Sequence, residues 1–203
     1  MTIRMRIFKF QMTLFFTLAS TSLFAAGDYD AGKIKAYTCT GCHGIAYYNN
    51  TYPTYHVPRI GGQNKEYVVI ALQAFKSGER THNNMNLQAE GLSDQDIEDI
   101  AVYLAAQESD AGAASTGNAS AGQNKSESCQ VCHGATGTST QPIYPNLGGQ
   151  HQNYLSKTLH DFREGKRQNA IMSGFAGGLS DADIEDIASW YASQQGLTLI
   201  QDK

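Results

Sequence analysis

Apolar residues recur with helical spacing near the end of each half of the chain. In each stripe four residues fall at positions i, i+3, i+4 and i+7: Ile97, Ile100, Ala101 and Leu104 in the first, and Ile184, Ile187, Ala188 and Tyr191 in the second. This spacing predicts one buried stripe on each of two helices. Ser93 and Ser180 precede the stripes, and an aspartate follows each serine three residues later, so both serines are predicted N-caps.

Two further kinds of helix are expected in each half. In the first half an apolar stripe predicts a helix that ends near Gly78; its residues are Tyr67, Ile70, Ala71 and Ala74. The corresponding segment, residues 154–163, is more polar. A short helix carrying Gly32, or Gly122 in the second half, is expected to run into the first cysteines. No segment shows convincing strand alternation, so the predicted fold class is all-α.

The chain is an internal duplication. The two copies share a cysteine motif, a Gly-Gly-Gln motif and a Gly-Leu-Ser-Asp motif, offset by 90 residues at the cysteines and by 87 from Pro58 and Pro145 onward. Each copy has about 80 residues, the size of a small domain. We therefore predict two domains, residues 27–107 and 120–203, joined by a linker of small and polar residues at 108–119.

Residues 1–26 are predicted to be a secretory signal, with a basic start, an apolar centre and small residues at the end. The apolar stretch is short for a membrane span, although an uncleaved N-terminal anchor is an alternative. Removal of the signal changes the formal net charge from −4 to −7. This acidic balance argues against nucleic acid as a partner, because phosphates attract basic surfaces.

The motif Cys-X-X-Cys-His occurs twice, at residues 39–43 and 129–133. The two copies use all the cysteines of the chain, namely Cys39, Cys42, Cys129 and Cys132. This motif is typical of c-type haem attachment. Each cysteine sulfur can form a thioether with one haem vinyl group, and the adjacent histidine, His43 or His133, can bind the iron. The prediction is two covalently attached haem c groups.

Other uses of these cysteines explain the pattern less well. Two half-sites for zinc would not require a histidine at the same offset both times. A thioredoxin-like dithiol needs a βαβ setting, which the sequence does not indicate. Structural disulfides would leave the two histidines without a role.

Met85 and Met172 are the candidate sixth ligands of the irons. They are the only methionines beyond the signal, and each lies seven residues before the leucine of the Gly-Leu-Ser motif. A methionine usually fills gaps in a core, but one per haem motif at equivalent positions favours axial ligation. His82 is a competing ligand near Met85, but Asn169 stands at the equivalent position, so an exposed histidine is expected.

For the remaining histidines and the two motif prolines, the sequence gives a weaker indication of a role. His56, His151 and His160 have no counterparts in the other copy and are interpreted as surface residues. The carbonyls of Pro58 and Pro145 are candidate acceptors for the Nδ1 proton of the iron-binding histidines. Ordinary loop prolines are the alternative.

The order of these motifs resembles class I cytochrome c, and two tandem copies behind a signal peptide resemble the dihaem cytochrome c4 family. The resemblance implies two helical haem domains related by a pseudo-twofold axis, with the haems near the domain interface. It also implies His43–Met85 and His133–Met172 ligation, proline carbonyls that hold the histidines, and close packing of terminal helices at Gly32 and Gly122. The tyrosine-rich loop at residues 44–57 departs from the family pattern.

The predicted function is electron transfer in the periplasm by a carrier that is not itself an enzyme. The resemblance implies redox partners such as a terminal oxidase or a quinol-oxidising complex, and a loose membrane association. Two alternatives come from other classes. One is a dihaem subunit of a larger oxidoreductase, such as a flavocytochrome sulfide dehydrogenase, and the other is a dihaem peroxidase. A peroxidase needs an open iron position, which two methionine ligands would deny.

Overall fold

A computed structural model describes residues 26–113 and 115–201, so residues 1–25 of the predicted signal lie outside the described residues. We call residues 26–107 the N-terminal half and residues 120–201 the C-terminal half. The helices of the N-terminal half are α1 (Tyr29–Lys35), α2 (Tyr37–His43), α3 (Lys65–Ser77), α4 (Asn83–Glu90) and α5 (Asp94–Ala105). Those of the C-terminal half are α6 (Ala119–Lys125), α7 (Glu127–His133), α8 (Gln152–Arg163), α9 (Ala170–Ala176) and α10 (Asp181–Ser193). The predicted helical fold is confirmed.

Helices α5 and α10 begin where the sequence predicts. Ser93 and Ser180 each form a complete capping box with the aspartate three residues later. The predicted stripes are buried, with Ile97 and Ile184 both at 0% exposure. These two helices therefore form the centre of their halves, and α3 and α8 pack against them.

The first helix of each half crosses the last one at close range. Helix α1 packs on α5 and α6 packs on α10, with Gly32 and Gly122 buried at the crossings. Lys35 adds ion pairs to Asp96 and Asp99 at 2.6 and 2.5 Å. The single helix expected before each cysteine pair is divided in two. In the N-terminal half, Ala36 lies between the end of α1 at Lys35 and the start of α2 at Tyr37.

A short hairpin corrects the expectation that no strand is present. Strands β1 (Asn49–Thr51) and β2 (Thr54–His56) pair antiparallel within the tyrosine-rich loop. The side chain of Asn50 donates to the Pro53 carbonyl at 2.8 Å and closes the turn. Tyr55 is buried, 6.1 Å from the Tyr154 ring of the C-terminal half. The extra residues of the first copy therefore pack across the interface, a contact that strand alternation over three residues cannot reveal.

The linker and the segment after α10 both make backbone contacts that join distant parts of the chain. Asp110, in the predicted linker, pairs with Gly196 in a β-bridge. Beyond Gly196 the chain crosses back: Thr198 pairs with Gly61, and Ile200 is buried in the apolar core of the N-terminal half. Of the helices in the described residues, none combines the length and apolar character needed to cross a membrane.

Candidate functional site

A cavity of about 840 Å³ lies between the two halves. This is near the upper end of the range for small-molecule sites. Both sequence motifs face it, and the residues that line it include Cys39, Cys42, His43 and Met85 from one half and Cys129, Cys132, His133 and Met172 from the other. Its wall is otherwise largely apolar, with Val68, Leu72, Ile100 and Leu104 in the first half and Leu147, Leu155, Ile187 and Ala188 in the second.

The cysteines of each pair lie one turn apart at the end of a short helix, α2 or α7. None of the four cysteines is in a disulfide. Burial raises the pKa of Cys39 and Cys129. A reactive dithiol needs a lowered thiol pKa, so the arrangement does not fit a thioredoxin-like centre. Two thiols on one helical face beside an apolar cavity fit thioether attachment of a flat apolar cofactor.

The motif histidines are buried and held in one orientation. His43 Nδ1 lies 2.7 Å from the Pro58 carbonyl oxygen, and His133 Nδ1 lies 2.9 Å from that of Pro145. Burial lowers the pKa of both imidazoles, which outweighs the raising effect of the carbonyls. A neutral imidazole with Nδ1–H bonded to a carbonyl presents Nε2 as its metal-binding nitrogen.

The methionines occupy equivalent positions in the first turns of α4 and α9. The Met85 N–H donates to Nδ1 of His82, the N-cap of α4, at 3.4 Å. The Met172 N–H donates to Oδ1 of Asn169, the N-cap of α9, at 3.0 Å. His82 is therefore a half-buried cap rather than the exposed histidine that was expected. A histidine and an asparagine are interchangeable here because each supplies one acceptor to the same N–H.

Two arginine–tyrosine pairs line the cavity and were missed from the sequence. Arg80 donates to the Tyr154 hydroxyl at 2.9 Å, and Arg167 donates to the Tyr67 hydroxyl at 3.2 Å. Each pair joins the two halves. Burial would raise the pKa of Tyr67, but the charges of Arg167 and Arg80 lower it to about 8. Arg80 and Arg167 are themselves 87 positions apart, so the repeat offset was the signal that would have found them.

Each guanidinium also stacks on a phenylalanine of its own half. The Arg80 guanidinium carbon lies 4.4 Å from the Phe75 ring centroid, and that of Arg167 lies 4.6 Å from the Phe162 ring centroid. Within the described residues, neither arginine forms an ion pair with a carboxylate. The cavity therefore has two cationic groups available to an anionic ligand edge.

His151 is buried, which corrects its interpretation as a surface residue. Its ring stacks on that of His56, with 4.8 Å between centroids. Burial, together with the charge of Arg59, lowers the pKa of His151 to about 4. The two rings meet at the interface between the halves, because His56 belongs to the first copy and His151 to the second. The sequence of either copy alone therefore cannot reveal this contact.

No group of three or more His, Cys, Asp or Glu side chains is arranged to hold a bare metal ion in the part of the chain that the structure describes. The donor set is instead two thiols, one oriented imidazole and one thioether per half around an apolar cavity, with guanidinium groups at its wall. This set fits a haem with carboxylate side chains.

Comparisons with known proteins agree with this chemistry. A sequence model of the cytochrome c family matches residues 117–195. The chain is 36% identical over 204 residues to cytochrome c4 of Pseudomonas aeruginosa, with 93% of this chain and 98% of that protein covered. The structure matches that of reduced recombinant cytochrome c4 from Pseudomonas stutzeri with a TM-score of 0.73 and 35% identity, over 83% of this chain and all of the other. It also matches thiosulfate dehydrogenase from Marichromatium purpuratum, with a TM-score of 0.70 and 26% identity, over 82% of this chain and 40% of that one.

These similarities extend over nearly the whole length of the relatives named cytochrome c4. The cofactors are two haem c groups, because each copy carries its own attachment motif. The chain is therefore an electron carrier rather than an enzyme, and it belongs to the cytochrome c4 family.

Proposed function

We propose that this protein carries electrons in the periplasm, one on each of two haems held by separate domains at residues 27–107 and 120–203, with a linker at 108–119. One observation carries the proposal. In each half a cysteine pair, a carbonyl-bound histidine and a capped methionine face the same cavity. Because both halves bring the whole set to the cavity, the placement of these residues is not a coincidence.

Each residue has a distinct part in this account. The cysteines, Cys39 with Cys42 and Cys129 with Cys132, anchor the cofactors. His43 and His133 would hold the iron through a ring nitrogen, and Met85 and Met172 would hold it through sulfur. Pro58 and Pro145 fix the histidine tautomer through their carbonyls, and Arg80 and Arg167 offer the charge that haem propionates require.

The ligand set suits electron transfer and not substrate chemistry. With a histidine and a methionine from each half as ligands, a bound haem would have no position left for a substrate and would supply one-electron redox chemistry alone. The protein contributes thioether ligation and an apolar wall, both of which stabilise the reduced state. The hydrogen bonds of His43 and His133 to proline carbonyls hold the imidazoles in one orientation, which would keep the iron ligands in place in both oxidation states.

The proposed location and partners follow from the signal and the family. A signal at residues 1–26 would deliver the chain to the periplasm, where c-type haem is attached. The partners would be a quinol-oxidising complex as donor and a terminal oxidase as acceptor, with loose association to the membrane.

Redox titration of the purified protein, followed by optical and magnetic-resonance spectroscopy, tests this function. The expected result is two one-electron steps, a low-spin c-type spectrum at both haems and slow binding of carbon monoxide. Rapid carbon monoxide binding to the reduced wild-type protein would contradict the account, because it requires an iron position that is already open.

A second candidate is a subunit of a larger oxidoreductase. It is favoured by the thiosulfate dehydrogenase structure, in which the region similar to this chain is 40% of a longer protein. Isolation under mild conditions distinguishes the two candidates. Stable co-purification of a dehydrogenase would favour the subunit, whereas a monodisperse dihaem protein would favour the free carrier.

A further inference from the structure

Gln150 belongs to the C-terminal half, but its side chain is bonded to the backbone of the N-terminal half. Gln150 Oε1 accepts the Arg59 N–H at 2.9 Å, and Gln150 Nε2 donates to the Arg59 carbonyl at 2.8 Å. The Arg59 N–H and the Pro58 carbonyl are parts of one peptide group. That carbonyl oxygen is the one 2.7 Å from His43 Nδ1. A single peptide therefore connects Gln150 to a histidine of the other half.

The same arrangement is present in the opposite direction. Gln63 Oε1 accepts the Asn146 N–H at 2.7 Å, and Gln63 Nε2 donates to the Asn146 carbonyl at 3.1 Å. The Asn146 N–H shares its peptide group with the Pro145 carbonyl, whose oxygen lies 2.9 Å from His133 Nδ1. Gln63 and Gln150 are 87 positions apart, so the crossed contacts follow the repeat.

The two glutamines are buried, with 6% exposure for Gln63 and 4% for Gln150. Each Oε1 also accepts the N–H of the next residue, Asn64 or His151, at 2.9 and 3.0 Å. The side-chain amides are therefore fixed on both sides. A buried amide with this geometry is expensive to misplace, since a lost partner leaves an unsatisfied polar group.

We propose that Gln150 and Gln63 are positioning residues that tune the haem of the opposite half through this peptide link. The proposal rests on the axial roles of His43 and His133 given above. A peptide whose N–H donates a hydrogen bond is polarised, so its carbonyl oxygen becomes a stronger acceptor. A stronger acceptor at Nδ1–H makes the imidazole a more basic iron ligand.

The direction of the effect follows from this basicity. A more basic axial ligand favours the oxidised iron, which carries the higher positive charge. Loss of the glutamine weakens the acceptor and is expected to raise the reduction potential. Because the link crosses the interface, Gln150 acts on the haem bound through His43, and Gln63 acts on the haem bound through His133.

The test uses the holoprotein with Gln150→Leu and Gln63→Leu, which keep approximate side-chain size and remove all hydrogen bonds of the side-chain amide. Redox titration with resolved haem signals is expected to show an upward shift at the opposite haem only. In the reduced state, the Nδ1 proton resonance of the opposite histidine is expected to shift. Gln150→Glu retains an acceptor for the Arg59 N–H and is expected not to raise the potential.

Asn153→Leu is the matched control. Asn153 Oδ1 accepts the backbone N–H of His56 across the same interface at 3.3 Å, and Asn153 Nδ2 lies 2.9 Å from His56 Nδ1. Neither contact involves the Pro58–Arg59 or the Pro145–Asn146 peptide. This variant is expected to leave both potentials unchanged. A shift at the haem of the same half, an equal shift at both haems, or a shift as large in Asn153→Leu would overturn the proposal.

A measurement on the wild-type reduced protein does not depend on the variants folding. A scalar coupling across the hydrogen bond is expected from the Arg59 amide nitrogen to the Gln150 side-chain carbonyl carbon, and from Asn146 to Gln63. Its absence would overturn the link while leaving the haem ligands intact. If the wild-type spectra instead showed that His43 and His133 do not bind iron, the proposed function would fail first.

Discussion

Gly32 lies directly against the backbone of Asp99 where α1 crosses α5. A Cβ on Gly32 would come within 2.0 Å of the Asp99 carbonyl oxygen, and one on Gly122 within 1.9 Å of that of Asp186. Real Cβ atoms do not approach a carbonyl so closely, so any other residue would force the two helices apart. The helix crossing of each half thus depends on one glycine.

Gly32→Ala and Gly122→Ala are each expected to lower the free energy of unfolding by about 1–3 kcal/mol, the usual cost of overpacking. Chemical denaturation of the holoprotein measures this. Gly91→Ala is the control, because a Cβ at Gly91 meets nothing within 4 Å. Its effect is expected to stay within about 0.5 kcal/mol. Equal effects at Gly32 and Gly91 would show that the helix crossing is not tight.

The buried His151 predicts a pH dependence of stability. Its pKa is lowered from 6.5 to about 4 in the folded chain, so the unfolded chain binds the proton more tightly. Protonation of His151 does not reduce the free energy of unfolding above about pH 6.5, where the ring is neutral in both states. The free energy of unfolding falls as the pH drops from about 6.5 to about 4. His151→Gln is expected to flatten this part of the profile, as measured by denaturant unfolding at a series of pH values.

His160→Gln is the control for that experiment. His160 lies outside the histidine stack, with Nδ1 3.9 Å from Glu164 Oε1. This variant is expected to keep the wild-type slope between pH 6.5 and 4. An unchanged slope in His151→Gln would mean that the buried ring is not the group responsible.

Ile200, near the C-terminal end, is expected to stabilise the N-terminal half. It is 4% exposed, and its N–H donates to the His43 carbonyl at 3.1 Å. Ile200→Ala is expected to lower the free energy of unfolding by about 2–5 kcal/mol, the range for truncation of a buried isoleucine to alanine. Ile34→Ala, at a side chain with 77% exposure, is expected to change it by less than about 0.5 kcal/mol. Similar losses in both would contradict the packing of the tail on the other half.

The local features were predictable because their signals are local. The serine caps and buried stripes of α5 and α10 depend on residues within two turns, and the structure confirms them. Helices α4 and α9 were missed because they are short and carry little apolar periodicity. Their N-caps, His82 and Asn169, look unrelated in sequence although they accept the same hydrogen bond.

The interface was not predictable from either copy alone. Gln63 and Gln150 stand out as repeated residues, but their partners lie 83 and 91 positions away. The contact of Thr198 with Gly61 likewise crosses most of the chain. Such pairings depend on how two halves associate, and periodicity within one half carries no information about them.

The central claim is that each haem has one histidine and one methionine ligand. The thioether-to-iron absorption band at the red end of the visible spectrum measures it directly in the oxidised wild type, Met85→Ala, Met172→Ala and the double variant. The account predicts that each single variant keeps both haems but loses about half of the band, assuming equal contributions, and that the double variant loses all of it. A single variant with the full wild-type band would contradict the account, because its methionine would not be a ligand.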